Sequence, residues 1–112
     1  MRYIMNDYTL DFNPATRLFE ITHAEQVHGG RLSALEANLL STIMEHQLHG
    51  HSPDSWEIAD AVYGPAVPES LKKVSAAIGR LNRKLGAGYI GHVSGADGAG
   101  YELFTYPPFR EY

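Results

Sequence analysis

The sequence predicts an α+β fold in which a small antiparallel sheet precedes three helices and a C-terminal β-hairpin. Three observations predict this class. Short runs rich in strand-forming residues alternate with turn residues in the first thirty positions. Between positions 33 and 85 the apolar residues recur at helical spacing instead. After Gly88 the period returns to that of strands, so the chain ends in β structure.

The N-terminal sheet is predicted from three short runs that together suggest three or four strands. Residues 8–12 alternate apolar and polar side chains, and Asn13-Pro14 makes a turn after them. Residues 17–22 form a second run rich in β-formers. A third run at 26–28 meets Gly29-Gly30, where we expect it to end.

The first two helices are marked by capping boxes, in which a side chain at the helix start and a glutamate three residues later satisfy each other's backbone amides. Ser33 with Glu36 starts a helix that the apolar spacing carries to about His46. Asp54 with Glu57 starts a shorter one, which Gly64-Pro65 ends. The apolar positions of the first helix are Leu35, Leu39, Leu40, Ile43 and Met44.

The third helix is predicted over Val67–Leu85, with Pro68 in its first turn and Gly86 and Gly88 at its end. It carries five basic residues and one acidic residue, a net charge of +4, whereas the chain is −4 and its remainder is therefore −8. A basic helix in an acidic chain suits a localised anionic partner, although a solvated amphipathic helix has the same pattern. Its apolar stripe consists of Leu71, Val74, Ile78, Leu81 and Leu85.

The C-terminal hairpin is predicted from two strand-like runs at 89–93 and 100–104. The six residues between them, 94–99, read as a flexible tip rich in glycine. Residues 105–112, with Pro107-Pro108, continue neither helix nor strand, and we expect a loosely docked tail.

Length and composition predict one globular domain over residues 1–104, divided into the sheet (1–32), the three-helix core (33–88) and the hairpin (89–104). The chain has no cysteine, which excludes disulfides and thiolate chemistry and fits a reducing compartment. No run is long and apolar enough for a membrane span, and acidic residues interrupt the first twenty positions where a signal peptide needs an apolar core. A cytoplasmic location without membrane contact is therefore predicted.

Three helices followed by a hairpin describe a winged helix-turn-helix, in which the third helix enters the major groove and the hairpin, or wing, lies along the DNA backbone or in a minor groove. Four segments in register carry a further signal: Leu32-Ser33-Ala34-Leu35-Glu36 with Leu39-Leu40, Ile58 to Gly64 (IADAVYG), Ile78 to Leu85 (IGRLNRKL), and Gly98-Ala99-Gly100-Tyr101-Glu102-Leu103. Together they resemble the winged-helix effector domain of OmpR/PhoB-type response regulators, which CadC/ToxR-type regulators share. The resemblance covers roughly residues 8–103.

The resemblance implies DNA contacts on the exposed face of the third helix. A central arginine can read guanine, so Arg80 is the candidate base reader, and His92 on the hairpin is expected near the DNA backbone. It also implies that the loop between the second and third helices, Tyr63, Gly64, Pro65 and Val67, can touch RNA polymerase. The implied DNA-contacting residues of the third helix are Lys72, Lys73, Ala76, Arg80, Arg83 and Lys84.

Three residues depart from the family pattern. Asn82 stands where the family has arginine, which removes an expected phosphate contact or ion pair. Gly79 in mid-helix costs roughly 1 kcal/mol of helix propensity relative to alanine. Asp97 at the wing tip repels phosphates, so we expect the helix to carry more of the DNA contact than the wing does.

Other sites were weighed against this interpretation. His46, His49 and His51 have a spacing that could ligate zinc or nickel with a fourth group, but a solvated polar loop has the same composition. Trp56, with Tyr63, is predicted to pack in the core or at an interface between helices. No triad, paired-carboxylate or phosphate-loop arrangement stands out, so we expect neither enzyme activity nor a metal or other cofactor.

The sequence therefore predicts a sequence-specific DNA-binding transcription regulator that binds promoter DNA, as a homodimer or in tandem on repeated half-sites. The alternative is a winged helix used as a protein-interaction module, an anti-activator or adaptor, because the negative net charge disfavours DNA. The chain is expected either to stand alone without a receiver domain or to be the DNA-binding head of a longer membrane regulator.

Overall fold

A computed structural model describes residues 2–5, 7–65, 67–95 and 98–104. Within these residues the fold is α+β, with a four-stranded antiparallel sheet, three helices and a C-terminal strand pair, as predicted. The elements in chain order are β1 (Arg2–Ile4), β2 (Tyr8–Asn13), β3 (Leu18–His23), β4 (Gln26–Arg31), α1 (Ala34–Leu48), α2 (Ser55–Tyr63), α3 (Pro68–Leu85), β5 (Ile90–Gly95) and β6 (Gly98–Leu103).

The N-terminal sheet has the order β1-β2-β3-β4, with each strand antiparallel to its neighbour. Its first strand, Arg2–Ile4, was not specified by the sequence pattern. The fourth strand does not end at Gly29-Gly30 as predicted but continues to Arg31. Glycine suits this pairing because a Cβ on Gly29 would lie 2.9 Å from the Phe19 carbonyl oxygen.

The core lies between the inner face of the sheet, the three helices and the base of the hairpin. The alternating residues Tyr8, Leu10 and Phe12 of β2 are buried, which confirms the two-residue period of that run. On α3, four of the five predicted stripe residues are buried and Leu71 is half-buried. The helical period and its orientation toward the core are therefore confirmed.

Both predicted capping boxes are present. Ser33 Oγ accepts from the Glu36 amide at 3.1 Å, and Glu36 Oε1 accepts from the Ser33 amide at 2.7 Å. At the start of α2, Asp54 Oδ1 and the Glu57 amide are 2.8 Å apart and the reciprocal bond is 3.2 Å. The first helix ends at Leu48, slightly beyond the predicted His46.

The hairpin strands are longer than the sequence predicted. Their pairing begins at Ile90 with Leu103 and continues to Gly95 with Gly98. The predicted six-residue tip at 94–99 is therefore wrong, because most of it belongs to the strands. Asp97 and the predicted tail at 105–112 lie outside the described residues.

The sheet and the base of the hairpin are joined through tyrosines. The Tyr8 hydroxyl donates to the carbonyl of Phe104 at 2.9 Å, and the Tyr8 and Tyr89 rings lie 4.6 Å apart at a tilt of 58°. Burial, with a smaller contribution from Tyr89 and Tyr3, raises the pKa of the Tyr8 phenol far above its usual value. The hydroxyl therefore keeps its proton and remains a hydrogen-bond donor at neutral pH. The contact links the two ends of the described chain.

Trp56 does not pack in the core. It lies in the first turn of α2 with 53% of its surface exposed, while Tyr63 at the other end of α2 packs against the core. The prediction of core packing is therefore correct for Tyr63 and wrong for Trp56. Among the described residues, none of the helices combines the length and the apolar character needed to cross a membrane.

Candidate nucleic-acid interface

The ends of α3 are fixed by local interactions. Pro68 occupies the first helical position, and the buried Ser70 hydroxyl donates to the Val67 carbonyl at 2.8 Å and accepts from the Val67 amide at 3.0 Å. At the other end Gly86 adopts a φ of 104°, a left-handed conformation that favours glycine. The His28 ring donates to the Lys84 carbonyl at 2.9 Å, which joins the end of α3 to β4.

The predicted contact residues of α3 share one face. At 100° per residue the six positions fall within an arc of about 120°, opposite the buried stripe. All six are exposed, so this arc presents five cationic side chains around Ala76. We call this surface the basic face; it consists of Lys72, Lys73, Ala76, Arg80, Arg83 and Lys84.

Neighbouring elements orient two cations of the basic face. The Lys73 ammonium lies 5.7 Å from the centre of the Tyr63 ring, within the range of a cation–π contact. Lys84 Nζ lies 3.7 Å from Glu36 Oε1, the carboxylate that also caps α1. The Lys84 side chain is 46% exposed although that of Glu36 is largely covered, so the Lys84 cation stays accessible to an anionic partner.

The middle of the basic face is small. Ala76 is exposed in the middle of the arc, and Gly79 lies half-buried at its edge, where an added Cβ would be 3.9 Å from the Arg83 guanidinium. Packing within the free chain therefore does not require glycine at position 79. The small centre leaves the backbone of α3 open to close approach by a ligand.

His92 lies on β5, the element that follows α3 in the chain. Its ring is exposed and packs edge-on against Tyr101, its register partner on β6, with centroids 5.0 Å apart. The structure thus presents this predicted contact residue on the surface of the hairpin.

Asn82 has a role that sequence reasoning missed. Its side chain accepts from the Ile90 amide at 3.0 Å and donates to the Ile90 carbonyl at 2.8 Å. Gln47 on α1 makes the matching pair with Leu103, both bonds at 2.8 Å. The predicted effect of Asn82 was only a lost phosphate contact, and no local sequence signal distinguishes an amide that bonds a distant strand.

The loop between α2 and α3 is the segment in which the resemblance predicted a contact with RNA polymerase. Gly64 ends α2 with a φ of 86°, a conformation that favours glycine. Pro65 and Val67 are exposed, Val67 by 46% of its surface, so this loop offers apolar surface beside the N-terminus of α3.

The three histidines considered as metal ligands do not converge. His46 Nε2 and His51 Nε2 lie 3.7 Å and 2.8 Å from the Glu57 carboxylate, whereas His49 Nδ1 bonds the Glu45 carbonyl. Burial raises the pKa of the Glu57 carboxyl, but the hydrogen bonds from His51 and the Asp54 amide, together with the electrostatic attraction of His51 and His46, lower it on balance. No group of three potential ligands in the described part of the chain could hold a metal ion.

Compared with protein-family models, curated proteins and solved structures, the chain gives no match.

Proposed function

We propose that this chain is a winged helix-turn-helix and a sequence-specific DNA-binding transcription regulator, with α3 in the major groove and the hairpin as its wing. The observation that carries this proposal is the basic face. Five of the nine Lys and Arg residues of an acidic chain lie on one helix, and all five are exposed on one arc. Such a surface is the electrostatic footprint expected of a helix that binds nucleic acid.

The chemistry of the basic face divides between positioning and reading. Lys72, Lys73 and Lys84 suit phosphate oxygens, which fix the register of the helix on the duplex. Arg80, farther along α3, suits bidentate contact with guanine O6 and N7. The small centre at Ala76 would let the helix backbone come close to the base edges, where an alanine methyl can contact thymine.

The remaining partners belong to the same proposal. The loop of Tyr63, Gly64, Pro65 and Val67 would contact RNA polymerase, because it exposes apolar surface beside the DNA-facing helix. Binding as a homodimer or in tandem would extend the contact over repeated half-sites.

A protein-interaction module is the second candidate. The exposed indole of Trp56 favours it, because tryptophan is enriched at the energetic centres of protein interfaces. The charge of −8 outside α3 also disfavours approach to DNA by other faces.

Genomic fragments selected for binding at low salt test the proposal. Replacing Lys73 and Arg80 together by alanine should weaken binding to a selected duplex by at least about tenfold, since one base contact is worth about 1–3 kcal/mol. The matched control replaces Arg17 and Arg31, which removes the same charge from the N-terminal sheet, and should change affinity far less. Failure to select any fragment, or equal losses in both variants, would contradict DNA reading by α3.

A further inference from the structure

We propose that Asn82 and Gln47 are positioning residues that hold the hairpin at a fixed angle to α3 and thereby place His92 against the DNA backbone. This inference rests on the proposed function and adds a mechanism to it. The two side chains need not touch DNA, because their amides are engaged by the base of the hairpin.

The two side chains hydrogen-bond to the same cross-strand residue pair, or rung, of the hairpin from opposite sides. Asn82 bonds both backbone groups of Ile90, and Gln47 bonds both backbone groups of Leu103. Ile90 and Leu103 are register partners on β5 and β6. One rung is therefore held by α3 on one side and by α1 on the other.

The backbone pattern explains why carboxamides fit here. The Phe104 amide donates to the Tyr89 carbonyl at 2.9 Å, so the next rung is a hydrogen-bonded pair. Rungs alternate in an antiparallel ladder, which turns the N–H and C=O groups of Ile90 and Leu103 outward. A carboxamide offers one acceptor and one donor side by side, as a peptide group does. Each side chain thus takes the place of a neighbouring strand.

The outer edge of β6 is held at a second point. The Tyr101 amide donates to the Pro53 carbonyl at 2.8 Å, and Ser52 Oγ donates to the Glu102 carboxylate at 3.1 Å. A Cβ on Gly100 would overlap the Ser52 carbonyl oxygen, so glycine permits this close approach. The segment between α1 and α2 therefore supports the hairpin on the side of Gln47.

The side of Asn82 determines the geometry relative to α3. His92 follows Ile90 by two residues on β5, and Asn82 lies between Arg80 and Arg83 of the basic face along α3. A rotation of the hairpin about its base would move His92 relative to these cations. Fixing Ile90 to Asn82 thus fixes the spacing between the two proposed DNA contacts.

An isosteric substitution can remove the hydrogen bond that each carboxamide donates, without changing the size of the side chain. In Asn82→Asp or Gln47→Glu, one carboxylate oxygen still accepts from the strand amide, but the other faces the strand carbonyl and repels it. The folded state of each variant is checked by its far-UV circular dichroism and melting curve.

A double-mutant cycle on DNA affinity tests the inference, because a purely structural role would not couple the two positions. In the wild-type chain, His92→Ala should weaken binding by about two- to tenfold, the change that corresponds to one hydrogen bond. In the Asn82→Asp background it should have no further effect, while Lys73→Ala should keep its full effect. Faster exchange of the Ile90 amide hydrogen should accompany this loss.

Additive losses for His92→Ala and Asn82→Asp, or no loss from either, would overturn the positioning role while leaving the basic face intact as the DNA contact. Should Asn82→Asp fail to fold, the same cycle with Gln47→Glu decides in its place. If Lys73→Ala alone left DNA affinity unchanged, the proposed function itself would be overturned. The two failures are therefore distinguishable.

Discussion

Two carboxamide side chains bond to backbone groups that a neighbouring strand would otherwise pair, and one glycine allows a backbone carbonyl to come close. Asn82 and Gln47 act as substitute peptide groups at the hairpin base, and Gly100 lets the Ser52 carbonyl come close to β6. These roles depend on contacts between positions about 8 to 56 residues apart in sequence. They consequently leave no periodic pattern that a reading of the sequence could detect.

Two glycines should respond in opposite directions to alanine. Gly100→Ala forces a methyl group onto the Ser52 carbonyl and should lower the free energy of unfolding by about 1–3 kcal/mol. Gly79→Ala on α3 has space for its Cβ and should raise that free energy by about 0.5–1 kcal/mol. Urea denaturation of both variants measures the difference, and a Gly100→Ala protein as stable as Gly79→Ala would refute the close approach.

Local signals predicted residues well where the partner is near in sequence. Ser33 with Glu36 and Asp54 with Glu57 form the predicted capping boxes because each pair is three residues apart. Trp56 was predicted wrongly because an apolar side chain does not by itself indicate which way its helix faces.

At the scale of elements, α3 was the most predictable part of the fold. Its apolar residues keep helical spacing over about four turns, and tertiary packing buries most of the same stripe. The hairpin was predicted less accurately at its tip, because glycine marks turns but is also tolerated within paired strands. Strand β1 is three residues long, too short for a period to be recognised.

The contact between the sheet and the hairpin can be tested through Tyr8. Tyr8→Phe removes the hydroxyl that donates to the Phe104 carbonyl and should lower the free energy of unfolding at pH 7 by about 1 kcal/mol.

The same substitution should change the alkaline pH dependence. The pKa of Tyr8 is raised above its unfolded value of 10.0, so its stabilising contribution is complete below pH 10.0 and is lost as the pH rises beyond it. Removing the phenol should reduce the downward slope of stability with pH above that value, by up to about 1.4 kcal/mol per pH unit. Urea midpoints between pH 7 and 11 measure both effects, and identical slopes in the two proteins would contradict the account.

On the scale of the whole molecule, charge separates the surface of α3 from the rest. A helix of +4 in a remainder of −8 would direct an anionic partner to one face. The α+β class and the order of sheet, helices and hairpin followed from periodicity and turn residues alone. The docking of the hairpin could not be predicted, because it depends on side-chain amide contacts that Asn82 and Gln47 make 8 and 56 residues away in sequence.

We propose that the basic face is the surface that contacts DNA. Its most direct test is a titration of the ¹⁵N-labelled chain with a selected duplex, followed by backbone amide chemical shifts at low and at physiological salt. We expect the shifts to concentrate on α3 from Lys72 to Lys84 and near His92, and affinity to fall as salt rises because counterions are released. Shifts centred on β1–β4 or on α2 around Trp56, or binding that does not depend on salt, would contradict it.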